Sequence, residues 1–410
     1  MNNRFSSSNI ASMRTEHNHS RLLRHLTLPH TAVLLGVLLS FLAWIIPPLN
    51  SAGKGFVAAS PSTFEFLATV AAYLFASGAA AVGYLFGRSM SSGLPRPSKI
   101  PSMDLENNTV WTASIITASI GVAITLLTIV RVLGFGGCVD AVMSTNANAL
   151  KYALYENYSI GLLSLRYIAI LSAAIAIFRY LAFKEVSLRS VISIGLLLSV
   201  ALISSRLSLI WALVIGGMTY LCFPSDRPTR AISQREIIGW SCVFLLLLAA
   251  LTVSRTYGYY ESQGADSFVS SVGSEFQRYL AAPFQGSIEA VNTPQFATRL
   301  GDVGGIDSGL TTNSALMEFA ILFGRWNVLA LAISLFISGS LCGILKRWSG
   351  TYLILAFGVL QGCNLEIWRL SMFQRGVTIT LMVFLLVVPV TLSFIVFPTI
   401  RIPRFRIKLH

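Results

Sequence analysis

Charge is scarce in this chain. Only 11% of its 410 residues are Asp, Glu, Lys or Arg, against 54% hydrophobic, and the mean hydropathy is +0.69. A soluble domain runs near a quarter charged, so this shortage excludes an ordinary soluble fold. Histidine is scarcer still. His17, His19, His25, His30 and His410 all lie in the terminal segments or at the start of the first apolar run, which leaves none for chemistry at the opposite end of the spans. The five cysteines, Cys138, Cys222, Cys242, Cys342 and Cys363, form no CxxC pair and have no His neighbours. Neither a disulfide framework nor a zinc site is indicated; Cys138 and Cys363 are the one pair that could both face outward. A glycine-rich phosphate loop, a metal-spaced cluster and internal repeats are also lacking. No cofactor and no metal are expected.

What is abundant is apolar sequence. Windows of about 20 residues place spans near 31–47, 63–87, 109–133, 160–180, 187–204, 207–223, 237–254, 326–345, 350–366 and 376–397. The expected fold is all-α, a polytopic integral membrane protein of about ten helices. The fifth and sixth spans meet at Ser204–Ser205–Arg206. One continuous helix there would be far too long for a bilayer, so a sharp reversal is expected.

The formal charge of +13 invites a nucleic-acid reading, but its distribution argues otherwise. Nineteen of the 30 Lys and Arg fall in one alternating set of short segments, and six of the 17 acids go with them. Positive residues beside spans orient a membrane protein, so both termini are expected in the cytoplasm and no nucleic acid is expected as a partner. The expected organisation is a disordered cytoplasmic tail at 1–30, spans one to seven at 31–254, a long outer loop at 255–325, spans eight to ten at 326–397, and a basic tail at 398–410. The first apolar run is read as a retained span rather than a cleaved signal, because its polar leader is long. A loop of that size is usually functional, the alternative being an inert decorated loop. It includes a helical stretch, Ser274 to Val291, and an apolar run, Ser314 to Phe323, that could re-enter the membrane surface.

Eleven positive residues violate the alternation: Lys54, Arg131, Lys151, Arg166, Arg206, Arg255, Arg278, Arg299, Arg325, Arg369 and Arg375. Nine are arginine, whose planar fork grips phosphate oxygens and stays charged. Arg206, Arg255, Arg369 and Arg375 fall at outer span ends; Arg131 and Arg166 fall within spans. An intramembrane cation is costly and should face the bundle interior or a wet cavity. Snorkelling, or pairing with Glu65, Glu318 or Glu366, is the structural alternative. Several arginines at one depth would instead receive an anion, phosphate before carboxylate. Tyrosines Tyr152, Tyr155, Tyr158, Tyr257, Tyr259, Tyr260 and Tyr279 lie in outer segments, suited to an interfacial belt or to sugar stacking.

Three short stretches resemble bacterial polysaccharide enzymes. Ser204–Ser205–Arg206–Leu207 is similar to the Ser-Arg element of O-antigen polymerases and ligases. Gln277–Arg278–Tyr279–Leu280 with Ala282–Pro283 resembles a Tyr-x-x-x-Pro segment in the long loop of repeat-unit polymerases. Thr312–Asn313 with Leu316, Glu318 and Gly324 resembles the His-Asn…Leu…Glu…Gly signature of O-antigen ligases. Thr312 stands where that ligase signature has His, which favours the O-antigen or exopolysaccharide polymerase family over the ligases.

The resemblance implies a metal- and nucleotide-independent glycosyltransferase of the bacterial inner membrane. It would join undecaprenyl-pyrophosphate-linked oligosaccharides on the periplasmic face, among membrane lipid and with a chain-length regulator as a partner. Arg206, Arg255 and Arg278 would bind pyrophosphate first, then Arg166 and Arg131. Glu275, Glu318 and Glu366 are the candidate bases, each with an ion pair to a nearby arginine as the alternative. Tyr259 and Tyr279 would stack on sugar. A lipid-linked oligosaccharide flippase or other transporter, and an O-antigen ligase, are the rival functions.

Overall fold

The computed structural model describes residues 27–49, 61–93, 107–144, 148–156, 161–203, 205–223, 233–262, 267–292 and 314–396, with six isolated positions besides. Among them the chain is helical, apart from one isolated bridge between Asp104 and Thr351. The helices are α1 (Pro29–Ile45), α2 (Thr63–Ser91), α3 (Asn108–Met143), α4 (Asn148–Glu156), α5 (Ile168–Phe183), α6 (Leu188–Ile203), α7 (Leu207–Cys222), α8 (Gln234–Ser262), α9 (Phe268–Asn292), α10 (Ala315–Phe323), α11 (Asn327–Leu345), α12 (Leu353–Leu365) and α13 (Gly376–Val396). Five segments are long and apolar enough to cross a membrane: Thr63–Ser91, Asn108–Ala141, Leu162–Phe183, Arg235–Ser254 and Ala315–Trp348. Five shorter apolar helices accompany them. Large apolar side chains such as Phe64, Leu85, Leu127 and Leu246 are exposed on the bundle surface, the pattern of a protein whose solvent is lipid.

The middle of the bundle is α12 with α5 and α7. Every residue of α12 from Leu353 to Asn364 is buried, so this helix is apolar on all sides rather than striped. Gly358 lets α12 approach the backbone of Ile215 on α7. A second close approach joins α2 to α11. A Cβ at Gly83 would overlap the Phe336 carbonyl, and one at Gly87 the Ser340 carbonyl. From the other side, Gly339 meets Ala80 and Gly343 meets Tyr84 and Gly87. Small residues four apart on both helices bring the backbones into contact, as membrane helices do without a hydrophobic drive between them. The paired numbers rise together, so α2 and α11 run parallel.

α6 ends at Ile203 and α7 begins at Leu207, so the helix breaks where the sequence places the reversal. Ser205, the residue before the N-cap of α7, accepts at its Oγ from Leu207 N at 3.2 Å. The segment expected as a long outer loop holds the end of α8 and all of α9 and α10. α9 is no solvated decoration: from Ala281 to Ile288 it is buried throughout. It packs on α1, α2, α8 and α10. Because α9 is polar on its buried face, hydrogen bonds dock it. Gln277 Nε2 donates to the carbonyls of Ile46 and Pro47, at 3.1 and 2.6 Å, and its Oε1 accepts from Leu49 N at 3.0 Å. Ser40 Oγ donates to Leu280 O at 2.6 Å, and Trp44 Nε1 to Gln285 Oε1 at 3.0 Å. Tyr73 and Ser287 share a hydrogen bond of 2.6 Å. The rings of Phe41, Trp44 and Phe66 close around Phe284 at centroid distances of 5.2 to 6.3 Å.

All five cysteines are free thiols, and Cys363 is fully buried beside Thr378. It therefore does not face outward with Cys138. α12 is covered on every side at that point.

Candidate functional site

Arg206 occupies the N-cap position of α7, where the partial positive charge of the helix end opposes a cation. Two neighbours offset that cost. Arg206 Nη1 donates to Thr252 Oγ1 on α8 at 2.8 Å, and Nη2 pairs with Glu275 on α9 at 2.6 Å. One arginine thus ties the starts of two distant helices to a third.

One turn further along α9, Tyr279 receives a second arginine. The Arg369 guanidinium lies 4.6 Å from its ring centroid, a cation–π contact. Arg369 belongs to the connection 366–375 between α12 and α13, and it pairs with Glu366 at 2.6 Å. Both are almost wholly buried. Burial foremost, then the charges of Arg206 and Arg375, pull the Arg369 pKa below the ordinary guanidinium range. Arg206 and Arg375 thus both act on the buried Arg369.

Arg375, at the end of the same connection, pairs with Glu318 on α10. The other oxygen of Glu318 accepts from Ser371 N at 2.8 Å. Ala315 N donates to Ile367 O at 3.3 Å, so α10 begins against this connection. The cluster gathers three arginines, Arg206, Arg369 and Arg375, with three carboxylates, Glu275, Glu318 and Glu366. It lies where α1, α6 and α12 end and α7 and α13 begin.

Exposure divides the cluster. The Arg369 and Glu366 side chains are 3% and 5% exposed, Arg206 and Glu275 19% and 17%, and Arg375 47%. The first pair is sealed, the second is reachable, and Arg375 is open on one side. A buried pair yields little net stability because desolvation offsets the attraction, while removing one member leaves a costly lone charge. The sealed pair thus makes a structural pin; the outer arginines are the ones an anion could reach.

The arginines ranked first by sequence divide in the fold. Arg206 and Glu275 meet directly, and Arg278 is buried on α9 between Glu275 and Tyr279. Arg166 is fully buried in a 3-10 turn, Leu162–Tyr167, that precedes α5. It donates to Leu163 O and the Tyr167 hydroxyl at 2.8 and 3.0 Å, and stacks over the Tyr167 ring. Arg131 is exposed on α3. Arg255 and Tyr259 fall within α8, with side chains outside the described residues, as are Thr312 and Asn313 of the ligase-like stretch. Arg369 and Arg375 are the members that sequence ranking left behind. The Glu366-x-x-Arg369 spacing, one helical turn, was the signal for the first; the density of arginine in one short connection was the signal for the second. Thr252 and Ser371 carried no sequence signal.

Among the described residues no group of His, Cys, Asp and Glu could hold a metal ion. No protein-family model, curated protein or solved structure matches the chain.

Proposed function

We propose that this protein is a polysaccharide polymerase that joins lipid-pyrophosphate-linked oligosaccharide units at the outer face of a bacterial inner membrane. The observation that carries the reading is the meeting of Arg206, Arg369 and Arg375 with Tyr279 and three carboxylates at one end of the bundle. All three motif stretches contribute to that one cluster, through Arg206, Tyr279 and Glu318. The cluster also joins alternate helix ends, as a ten-span path with both termini in the cytoplasm requires.

The chemistry is a displacement. The acceptor hydroxyl oxygen forms a bond to the anomeric carbon of the donor sugar. The bond from that carbon to the pyrophosphate oxygen breaks, and its electron pair leaves with the lipid pyrophosphate. The hydroxyl proton passes to a carboxylate. Arg206 and Arg375 stabilise the charge that grows on the leaving group; fixed donors of this kind contribute about 3 kcal/mol each. Glu275 is the reachable base. Tyr279 holds Arg369 on one side of its ring. A chain-length regulator is the partner this activity would have.

The test is genetic and chemical. A deletion strain should carry surface polysaccharide with a single repeat unit, and Arg206→Ala should restore no polymer while the protein stays in the membrane. Loss of the single unit as well would point to a flippase or a ligase. Polymer of normal length from Arg206→Ala would remove the pyrophosphate role. Reporters fused at Gly264 and Ser225, both outside the described residues, should read outside and inside respectively.

A further inference from the structure

We infer that the Glu318–Arg375 pair is an exchangeable latch: Arg375 leaves Glu318 to grip an incoming pyrophosphate, and Glu318 competes with that anion for the arginine. The inference deepens the polymerase reading and takes from it only the identity of the ligand. Three features single out this pair among the cluster's three. Arg375 is 47% exposed while Glu318 is 9% exposed, so an anion can reach the cation without entering the core. Glu318 has a second tie, the Ser371 N–H at 2.8 Å. When Arg375 departs, the carboxylate keeps a charge-assisted hydrogen bond and is not stranded. Ser371 and Arg375 belong to one connection, so the arginine moves from a base that the same backbone holds in place.

The other two pairs lack this combination. Arg369 and Glu366 are sealed, and parting them would leave two buried charges. Arg206 holds Thr252 besides Glu275, so its withdrawal breaks two side-chain contacts on separate helices. Glu318 also sits on α10, whose first N–H bonds to Ile367. The latch therefore links α10 to the connection that carries both Arg369 and Arg375. The ligand chemistry is a pyrophosphate group, either free or on a prenyl chain.

The experiment uses the full chain purified in detergent and in nanodiscs. Inorganic pyrophosphate and farnesyl pyrophosphate are titrated by calorimetry, with phosphatidylglycerol nanodiscs as a third arm. Glu318→Gln keeps the shape and the Ser371 acceptor but gives up the charge that holds Arg375. It should tighten pyrophosphate binding severalfold, whereas Arg375→Gln should weaken it about tenfold or more. Opposite effects from the two sides of one ion pair are what competition produces; a merely structural pair would weaken binding from both sides. Equal or weaker binding by Glu318→Gln overturns the latch. Should that variant fail to fold, unchanged affinity in the half-exposed Arg375→Gln overturns it alone. Tighter binding of farnesyl pyrophosphate than of inorganic pyrophosphate assigns the site to the lipid carrier; equal binding assigns it to the anion alone. A response only to phosphatidylglycerol nanodiscs makes Arg375 a headgroup contact and ends the proposal. Opposite effects in a protein that makes no polymer would end the polymerase reading and leave the latch standing. Polymer formation that both variants leave unaltered would end the latch and the leaving-group role of Arg375, and would leave polymerisation resting on Arg206.

Discussion

Two helix seams in this protein solve the same problem with opposite chemistry. Between α2 and α11 the contact is backbone on backbone, made by Gly83, Gly87, Gly339 and Gly343 with no side chain between them. Between α9 and α1 it is side chain on backbone: Gln277 spans Ile46, Pro47 and Leu49, and Ser40 reaches Leu280. The glycine seam admits one register, since any other places a side chain in a carbonyl. The polar seam has its hydrogen bonds distributed over several groups, each of which can be lost singly at modest cost. The first seam holds the frame; the second docks the helix that brings Glu275, Arg278 and Tyr279 to the cluster.

Substitution tests how far this contrast holds. The largest effect belongs to Gly83→Leu, which puts a side chain into the Phe336 backbone. A cost above about 4 kcal/mol is expected, read as loss of the protein from the membrane fraction. Survival of a monodisperse protein would mean that the seam is not rigid. Next is Arg369→Ala, which strands Glu366 and should cost about 3–5 kcal/mol of stability, measured by thermal unfolding in detergent. Arg206→Ala is the reverse case: about a hundredfold loss of rate, with most of the protein retained. Equal losses of protein from the last two variants would erase the distinction between sealed pin and reachable cation. Gln277→Leu removes the docking bonds of α9 and should cost about 2–3 kcal/mol. It should lower activity by misplacing Tyr279 while the α2–α11 frame persists, which retention of a monodisperse protein in the membrane fraction would register. The smallest effect is expected from Arg131→Gln. Its side chain is exposed on α3, and polymer length should not change.

The reversal at Ser205–Arg206 and the helix across 274–291 were legible because each depends on neighbouring residues. The Glu366–Arg369 pair was legible in the same way, one helical turn apart. The Arg206–Glu275 pair was not. Its members are 69 residues apart, and α9 offered Arg278 as a nearer partner for Glu275. The division among arginines was equally hidden. In sequence, Arg131, Arg166 and Arg206 are all cations within or beside apolar runs, and nothing local says which of them meets a carboxylate from another helix.

Sequence by itself settled the solvent: so few charges in so much apolar length can fold only where helices satisfy their own backbone. It also settled the helix-breaking points, because a Ser-Ser-Arg reversal or a polar run interrupts an apolar stretch on the spot. Tertiary structure alone decided which cations share a site and how deep each one lies. Coulomb attraction and desolvation depend on distance and burial in space, and those quantities do not exist until α9 is seated against α1 and α10 meets the 366–375 connection.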